Sequence, residues 1–164
     1  KPENLYSLPP VPCHELTEPP TEEVLVQSTL WAEVAKLYGH GNSVFCLACA
    51  NHSNIVASAS KAAESQVGMA SIRLWSSDGW TQLSVLEGHK TTVTQLAFSP
   101  DDGFLLSVSR DRSFCLFSRK GPTEYALSLR QEGAHDRVVW GGAWSPCGVM
   151  FATASRDKTV KVWR

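Results

Sequence analysis

Histidine, hydroxyl and carboxylate side chains recur together along the sequence. One copy holds His89, Ser107 and Asp111, and a later copy holds His135 and Asp157. Histidine placed between aspartate and serine is the composition of a hydrolase triad, in which the imidazole takes the proton of the nucleophile. The same set repeats, however, and repeats serve structure far more often than catalysis. The sequence also lacks the Gly-x-Ser-x-Gly turn that exposes many such nucleophiles. These residues are therefore predicted to hold the fold together rather than to catalyse a reaction.

The histidines mark an internal repeat. Gly39-His40 returns as Gly88-His89 and, with alanine in place of glycine, as Ala134-His135. The intervals between the histidines are 49 and 46 residues. A period of about 20–50 residues is typical of solenoids and propellers. The elements that position the histidines must therefore be repeated as well.

Alternating apolar residues and closely spaced turns predict β-strands in every repeat. The predicted strands lie at 44–49, 55–60, 72–75, 82–86, 93–98, 104–109, 113–117, 125–129, 139–144, 150–155 and 159–163. Residues 33–37 resemble 82–86, so a further outer strand is predicted before the first histidine. The total of 12 strands would make three four-stranded blades if each group of four is counted from the strand before a histidine rather than from the strand after it.

These residues resemble the WD-repeat family of β-propellers. The second copy has the segments Phe98-Ser99-Pro100-Asp101 and Ser109-Arg110-Asp111 and closes on Phe117. The third copy has Trp144-Ser145-Pro146 and Ser155-Arg156-Asp157 and closes on Trp163. The distance from histidine to closing aromatic is 28 residues in both copies. The resemblance implies an all-β fold of about three four-stranded blades that form part of a ring.

The resemblance also implies that a polar tetrad holds each blade, because a buried imidazole needs hydrogen-bond partners on both nitrogens. Ser109 and Ser155 are rival hydroxyl positions on the same strands as Ser107 and Thr153, and the sequence does not choose between them. The first copy has no aspartate after Ser60 and carries a longer turn over 61–70, so this blade is expected to be less rigid. The tetrad residues are His40, Ser58 and Trp75 in the first copy, His89, Ser107, Asp111 and Phe117 in the second, and His135, Thr153, Asp157 and Trp163 in the third.

Four basic residues flank the two turn aspartates. Residues 104–164 carry a net charge of +5, and neighbouring blades present equivalent turns on one rim. A cluster of these cations would suit phosphates or an acidic partner. The alternative is a solvated face whose charges pair with Asp111 and Asp157. The four residues are Arg110, Arg112, Arg156 and Lys158.

The start of the sequence differs from the rest in composition. Residues 1–33 have a net charge of −5 and residues 34–164 a net charge of +4, and six of the nine prolines lie in the first 20 residues. Proline removes backbone donors and restricts backbone angles, so an extended connector is expected over 1–30. The propeller repeats are then expected over 31–164, at about 38–86, 87–129 and 133–164.

The five cysteines are dispersed and odd in number, which favours a reducing compartment over a disulfide scaffold. Cys46 and Cys49 form a C-x-x-C pattern, but an odd spacing in a strand puts the two thiols on opposite faces. They are interpreted as packing residues rather than metal ligands. Asn51-His52-Ser53 matches a glycosylation acceptor pattern and is interpreted as a loop. We therefore expect a binding scaffold without catalytic residues, cofactor or metal, and with partner proteins.

Overall fold

The computed structural model describes residues 34–65 and 68–164. The chain divides into two compact units, Lys1–Leu37 and Tyr38–Arg164. Of the first unit, only residues 34–37 are among those described, and the predicted connector over 1–30 lies outside them. All strands named below belong to the second unit.

Eleven strands make up the regular structure of the described residues, which contain no helix, and the all-β prediction is confirmed. The strands are short and rich in β-branched, aromatic and small residues, as expected of pleated and partly buried segments. They are β1 (Val44–Cys49), β2 (Ile55–Ser60), β3 (Ile72–Ser76), β4 (Gln82–Leu86), β5 (Val93–Phe98), β6 (Phe104–Ser109), β7 (Phe114–Arg119), β8 (Tyr125–Gln131), β9 (Val139–Trp144), β10 (Phe151–Ser155) and β11 (Val160–Trp163).

Three antiparallel sheets are formed by strands that follow one another in the chain. The first sheet has the order β1-β2-β3-β4, the second β5-β6-β7-β8, and the third β9-β10-β11. Each inner strand β1, β5 and β9 comes directly after a histidine loop. Each sheet therefore presents its histidine at one end of its innermost strands.

The predicted outer strand before the first histidine is wrong for the residues that the structure describes, since 34–37 form no strand. The similar segment β4 is a strand because it pairs with β3, through Ile72 and Leu86 among other residues. No sheet precedes β1 among the described residues. The predicted grouping of strands is also wrong, because β4 and β8, which precede the later histidines, belong to the preceding sheet.

Two apolar layers lie between the sheets, and strand β6 shows how they arise. Leu105 faces the first sheet, whereas Leu106 and Val108 face the third, because successive side chains of a strand point to opposite faces. Strand β7 alternates in the same way, with Phe117 in one layer and Phe114 in the other. Each fully buried side chain of this size contributes about 1.5–3 kcal/mol to stability. This packing fixes the position of each sheet, and so of its histidine, against its neighbour.

Candidate functional site

The third sheet contains a continuous hydrogen-bonded chain of polar side chains. Nε1 of Trp163 donates to Oγ1 of Thr153 at 2.9 Å, and Oγ1 of Thr153 lies 2.8 Å from Nε2 of His135. Nδ1 of His135 lies 2.8 Å from Oδ2 of Asp157, whose other oxygen accepts from the hydroxyl of Thr159 at 2.6 Å. The hydroxyl therefore donates to Nε2 and the imidazole donates from Nδ1, because the indole can only donate and the carboxylate only accept.

This arrangement has the residue types of a catalytic triad, but its hydroxyl is not accessible to a substrate. Thr153 and His135 are each 1% exposed, and the indole of Trp163 occupies the acceptor side of the hydroxyl. Ser107 of the second sheet is fully buried. A nucleophile must reach its substrate, and these hydroxyls are enclosed by the sheets instead. The geometry therefore supports cohesion of each sheet with its turn.

The second sheet has the same series of hydrogen bonds except for the one that tryptophan makes in the third sheet. Nε2 of His89 lies 2.8 Å from Oγ of Ser107, and its Nδ1 lies 3.2 Å from Oδ2 of Asp111. Phe117 stands where the third sheet has tryptophan, and it has no N–H to donate to Ser107. Its ring is 1% exposed and packs between the first and second sheets.

The carboxylate of Asp111 is held by several donors at once. It accepts from the backbone N–H of Lys90 at 2.9 Å, from the backbone N–H of Ser113 at 3.0 Å, and from the Ser113 hydroxyl at 2.5 Å. Burial by itself would raise the pKa of Asp111, but His89 and these donors outweigh it and hold the pKa well below its usual range. Asp157 has its pKa lowered as well, first by the hydroxyl of Thr159 and then by His135. Both carboxylates are therefore charged at neutral pH.

The structure separates the two rival hydroxyl positions of each repeat. Ser107 and Thr153 contact the histidines, whereas Ser109 donates to the backbone oxygen of Thr92 at 2.9 Å. The Ser109 hydroxyl also lies 3.2 Å from the backbone oxygen of Thr91, and Ser155 makes the equivalent contact with the oxygen of Arg137 at 3.2 Å. Ser109 and Ser155 also accept from the backbone N–H of the turn aspartates. They close the turn and are not part of the histidine network.

The first sheet keeps part of the chain and lacks the carboxylate. Oγ of Ser58 lies 2.8 Å from Nε2 of His40 and accepts from Nε1 of Trp75 at 2.7 Å. Ala62 stands at the position of Asp111 and Asp157, counted from the end of the second strand. Burial, and after it the guanidinium of Arg73, lowers the pKa of His40. Ala62 thus gives the imidazole of His40 no carboxylate of the kind that Asp157 gives His135.

The turn of the first sheet is instead tied to the second sheet. The backbone N–H of Ala62 donates to Oγ1 of Thr92 at 2.9 Å, and this hydroxyl donates back to the oxygen of Ala62 at 3.0 Å. The backbone N–H of Thr92 donates to the same oxygen at 3.1 Å. Residues 66 and 67 of the long turn lie outside the described residues.

The four cations of the predicted rim are all exposed, but they do not share one cavity. Arg110 and Arg112 line a cavity of about 300 Å³, and Arg156 and Lys158 are not among its lining residues. The lining residues are Glu64, Lys90, Arg110, Asp111, Arg112, Arg130, Glu132 and Gly133. That all four predicted cations cluster stays a prediction.

Sequence reasoning missed the basic residues that pair with acids in this cavity. Arg130 lies 3.0 Å from Glu132 and 3.9 Å from the carboxylate of Asp111, and Lys90 lies 3.3 Å from Glu132. Arg130 falls in the outer strand β8, where a charged residue looks like ordinary surface. Only the fold of β8 beside the β6–β7 turn brings it to Asp111.

Sequence reasoning also missed Asp102, which is fully buried and joins two sheets. The signal was present, because Asp102 occupies the turn position of Gly148 in the third repeat. An acid in place of glycine at a tight turn indicates a specific partner.

The cysteines Cys46 and Cys49 differ in burial. The thiol of Cys46 donates to the backbone oxygen of Val93, and burial raises its pKa to about 12, whereas Cys49 is exposed. Among residues 34–65 and 68–164, no group of three or more His, Cys, Asp or Glu side chains is placed to hold a metal ion. Within that part of the chain, no helix has the length and apolar character needed to traverse a bilayer.

Residues 31–62, 80–118 and 127–164 match the WD domain, G-beta repeat family. Because these matches cover more than half of the chain, and the sheets follow the same repeat, the chain belongs to this family. The predicted partial WD-repeat propeller is thereby confirmed.

Within the family, the chain is similar to proteins named Elongator complex protein 2. The protein from Rattus norvegicus is 48% identical over 157 residues, which is 90% of this chain and 19% of that protein. The protein from Arabidopsis thaliana is 48% identical over 153 residues, which is 91% of this chain and 18% of that protein. The protein from Saccharomyces cerevisiae is 42% identical over 157 residues, which is 93% of this chain and 20% of that protein. The chain therefore spans about a fifth of the length of these curated relatives.

The similarity extends beyond the repeats themselves. The relatives match 90–93% of the chain, which is more than the three repeat segments cover. The resemblance of the sequence to this particular protein is confirmed by the relatives.

Proposed function

We propose that the chain is part of a non-catalytic scaffold subunit of the Elongator complex. The observation that carries this proposal is the identity of 42–48% to proteins named Elongator complex protein 2 from an animal, a plant and a yeast, over 90–93% of the chain. In this role the protein bridges the large first subunit and the catalytic third subunit, and so supports modification of the wobble uridine of transfer RNA. Such a protein works in the cytoplasm and the nucleus.

The chemistry of the described residues supports a binding role. The repeated histidine networks are buried and serve cohesion, while the loops at both ends of the sheets offer surface for partners. In this proposal, residues 1–30 form a connector and residues 31–164 form part of a second propeller. The three repeats run over about 38–86, 87–129 and 133–164.

The experiment is purification of the tagged full-length protein from its own cells, followed by quantitative mass spectrometry of the associated proteins. We expect the first and third Elongator subunits at near-equal amounts, and an unrelated WD-repeat protein with the same tag serves as the control. The alternative function is that of an adaptor in a ubiquitin ligase or a signalling complex, which shares the fold and differs in surface residues. Recovery of such partners with no Elongator subunit would contradict the proposal.

A weak or indirect contact with transfer RNA is a second part of the proposal. It rests on the exposed positions of Arg110, Arg112, Arg156 and Lys158, because phosphates are attracted by clustered cations. Reversing all four charges is expected to weaken binding of transfer RNA to the whole assembly by about threefold to tenfold at low salt. The control is Lys120→Glu, because Lys120 is exposed in the β7–β8 turn at the other end of the strands. Equal affinity of the four-residue variant and the unaltered assembly would remove this part.

A further inference from the structure

The loop between β1 and β2 surrounds a carboxylate that comes from the second sheet. Oδ1 of Asp102 accepts from the backbone N–H of Asn51 at 2.7 Å, and Oδ2 accepts from the backbone N–H of His52 and of Ser53, both at 2.8 Å. The Ser53 hydroxyl donates to Oδ2 at 2.8 Å, and the Asn51 side-chain amide donates to Oδ1 at 3.3 Å. Five donors from three consecutive residues thus converge on one carboxylate.

Consecutive backbone N–H groups that point into one concavity form an anion-binding nest. The loop over 51–53 has this form, and it adds a hydroxyl and an amide to the three backbone donors. Burial by itself would raise the pKa of Asp102, but the donors of Asn51, His52 and Ser53 outweigh it, so the pKa is lowered. The nest therefore holds a charged carboxylate.

Asp102 adopts an unfavourable backbone conformation to reach this nest. Its φ is 56°, a left-handed value, and the third sheet has Gly148 with φ 72° at the same turn position. The two turns match, because the N–H of Asp102 donates to the oxygen of Ser99 and the N–H of Gly148 donates to that of Ser145, both at 2.9 Å. Glycine adopts such angles without strain, so aspartate at this position points to a role for its side chain.

The turn itself does not need the carboxylate of Asp102. The neighbouring Asp101 closes the turn, since its Oδ1 accepts from the N–H of Gly103 at 3.0 Å and from the Ser99 hydroxyl at 2.5 Å. The Tyr125 hydroxyl donates to the backbone oxygen of Asp102 at 2.6 Å, which holds the backbone and not the side chain. All five bonds of the Asp102 carboxylate cross to the first sheet.

We propose that residues 51–53 form an anion-binding site whose ligand is the carboxylate of Asp102, and that this clasp orients the first sheet, whose own turn has Ala62 at the position of Asp111 and Asp157. Thr92 holds the opposite end of the same sheet through Ala62. The two clasps lie at opposite ends of the strands, so together they fix the tilt of the first sheet against the second.

The test is hydrogen exchange of the backbone amides of residues 50–54 in the full-length protein, read by mass spectrometry. In Asp102→Gly the turn is kept and the carboxylate is lost, so exchange of the 51–53 amides is expected to accelerate about tenfold to a hundredfold. Asp101→Asn is the matched control, because it removes a charge from the same turn and leaves the clasp intact. Unchanged exchange in Asp102→Gly would overturn the proposal, as would equal acceleration in both variants.

A second variant tests the clasp from the side of the nest. Ser53→Ala removes one of the five donors and keeps all backbone groups, so a smaller acceleration of about threefold is expected in the same peptide. This variant keeps the proposal testable if Asp102→Gly does not fold. Exchange of residues 51–53 at the rate of an unstructured peptide in the unaltered protein would also overturn it.

Discussion

The first and third sheets each join a histidine, a hydroxyl and a tryptophan by hydrogen bonds. They differ in whether a carboxylate also contacts the histidine. In the third sheet, His135 contacts Thr153 on one side and Asp157 on the other, and its ring is closed off from solvent. In the first sheet, His40 contacts Ser58 and is only half-buried. In the third sheet the histidine network therefore uses only residues of that sheet and its loops, whereas the turn of the first sheet is held by contacts from the second sheet.

The difference shows that loss of one tetrad residue need not leave a blade without order. The side chain of Ala62 cannot accept a hydrogen bond from histidine, but its backbone makes three hydrogen bonds with Thr92. Asp102 adds five more at the opposite end. Hydrogen bonds between the first and second sheets thus compensate for the missing hydrogen bond within the first sheet. Mutation can distinguish the two kinds of contact.

The largest expected effect comes from removing the central hydroxyl of the third sheet. Thr153→Val leaves the buried Nε1 of Trp163 and Nε2 of His135 without partners, so the free energy of local opening of the third sheet should fall by about 2–4 kcal/mol. Native-state hydrogen exchange of the β10 amides in the full-length protein measures this fall.

The matched change in the first sheet is Ser58→Ala, which removes the same link between histidine and tryptophan. The expected loss is about 1–2 kcal/mol, because the half-buried His40 can turn to water. Equal losses in the two sheets would contradict the contrast between an enclosed and an open histidine.

An effect of about the same size as that of Ser58→Ala is expected from Asp111→Asn in the second sheet. The amide can keep the oxygen that faces His89 and Lys90, but it loses the charge and the oxygen that accepts from the backbone N–H and the hydroxyl of Ser113, which should cost about 1–2 kcal/mol. Exchange of the β6 and β7 amides measures the loss. If the variant opened as rarely as the unaltered protein, the carboxylate would not be what holds the turn.

The smallest effect concerns mild acid and should separate the first sheet from the others. The folded state lowers the pKa of His40, so below the ordinary value of 6.5 the unfolded state binds the proton more readily. Stability of the first sheet is therefore full above pH 6.5 and declines as pH falls below it. The lowered pKa values of Asp111 and Asp157 act only below their ordinary value of 3.8, where the stability that they contribute is lost.

Exchange measured at pH 7 and pH 5.5, corrected for the intrinsic rates, should show faster opening in β2 at the lower pH. His40→Gln should abolish this difference, because the amide does not titrate in that range. A difference of the same size in the His40→Gln variant would contradict the assignment to His40.

Much of the fold could be predicted from the sequence, because the strands show a local alternation of apolar and polar residues. The strands β1, β2, β4, β5, β6 and β9 have the predicted bounds. The segment 34–37 has the same local pattern as β4 but is not a strand in the structure, and a local pattern does not reveal whether a segment will pair. The histidines, hydroxyls and aspartates were found through their repetition at matched spacing.

Apolar alternation thus predicts the strands, and the spacing of histidines, hydroxyls and aspartates predicts the repeat and the candidate residues of the histidine networks. It could not choose between Ser107 and Ser109, because both lie on the same face of one strand and only the position of the His89 ring separates them. Nor could it show that Asp102 reaches Ser53, 49 residues earlier in the chain. The burial of a carboxylate depends on donors that converge in space, and the packing of one sheet on the next decides which donors those are.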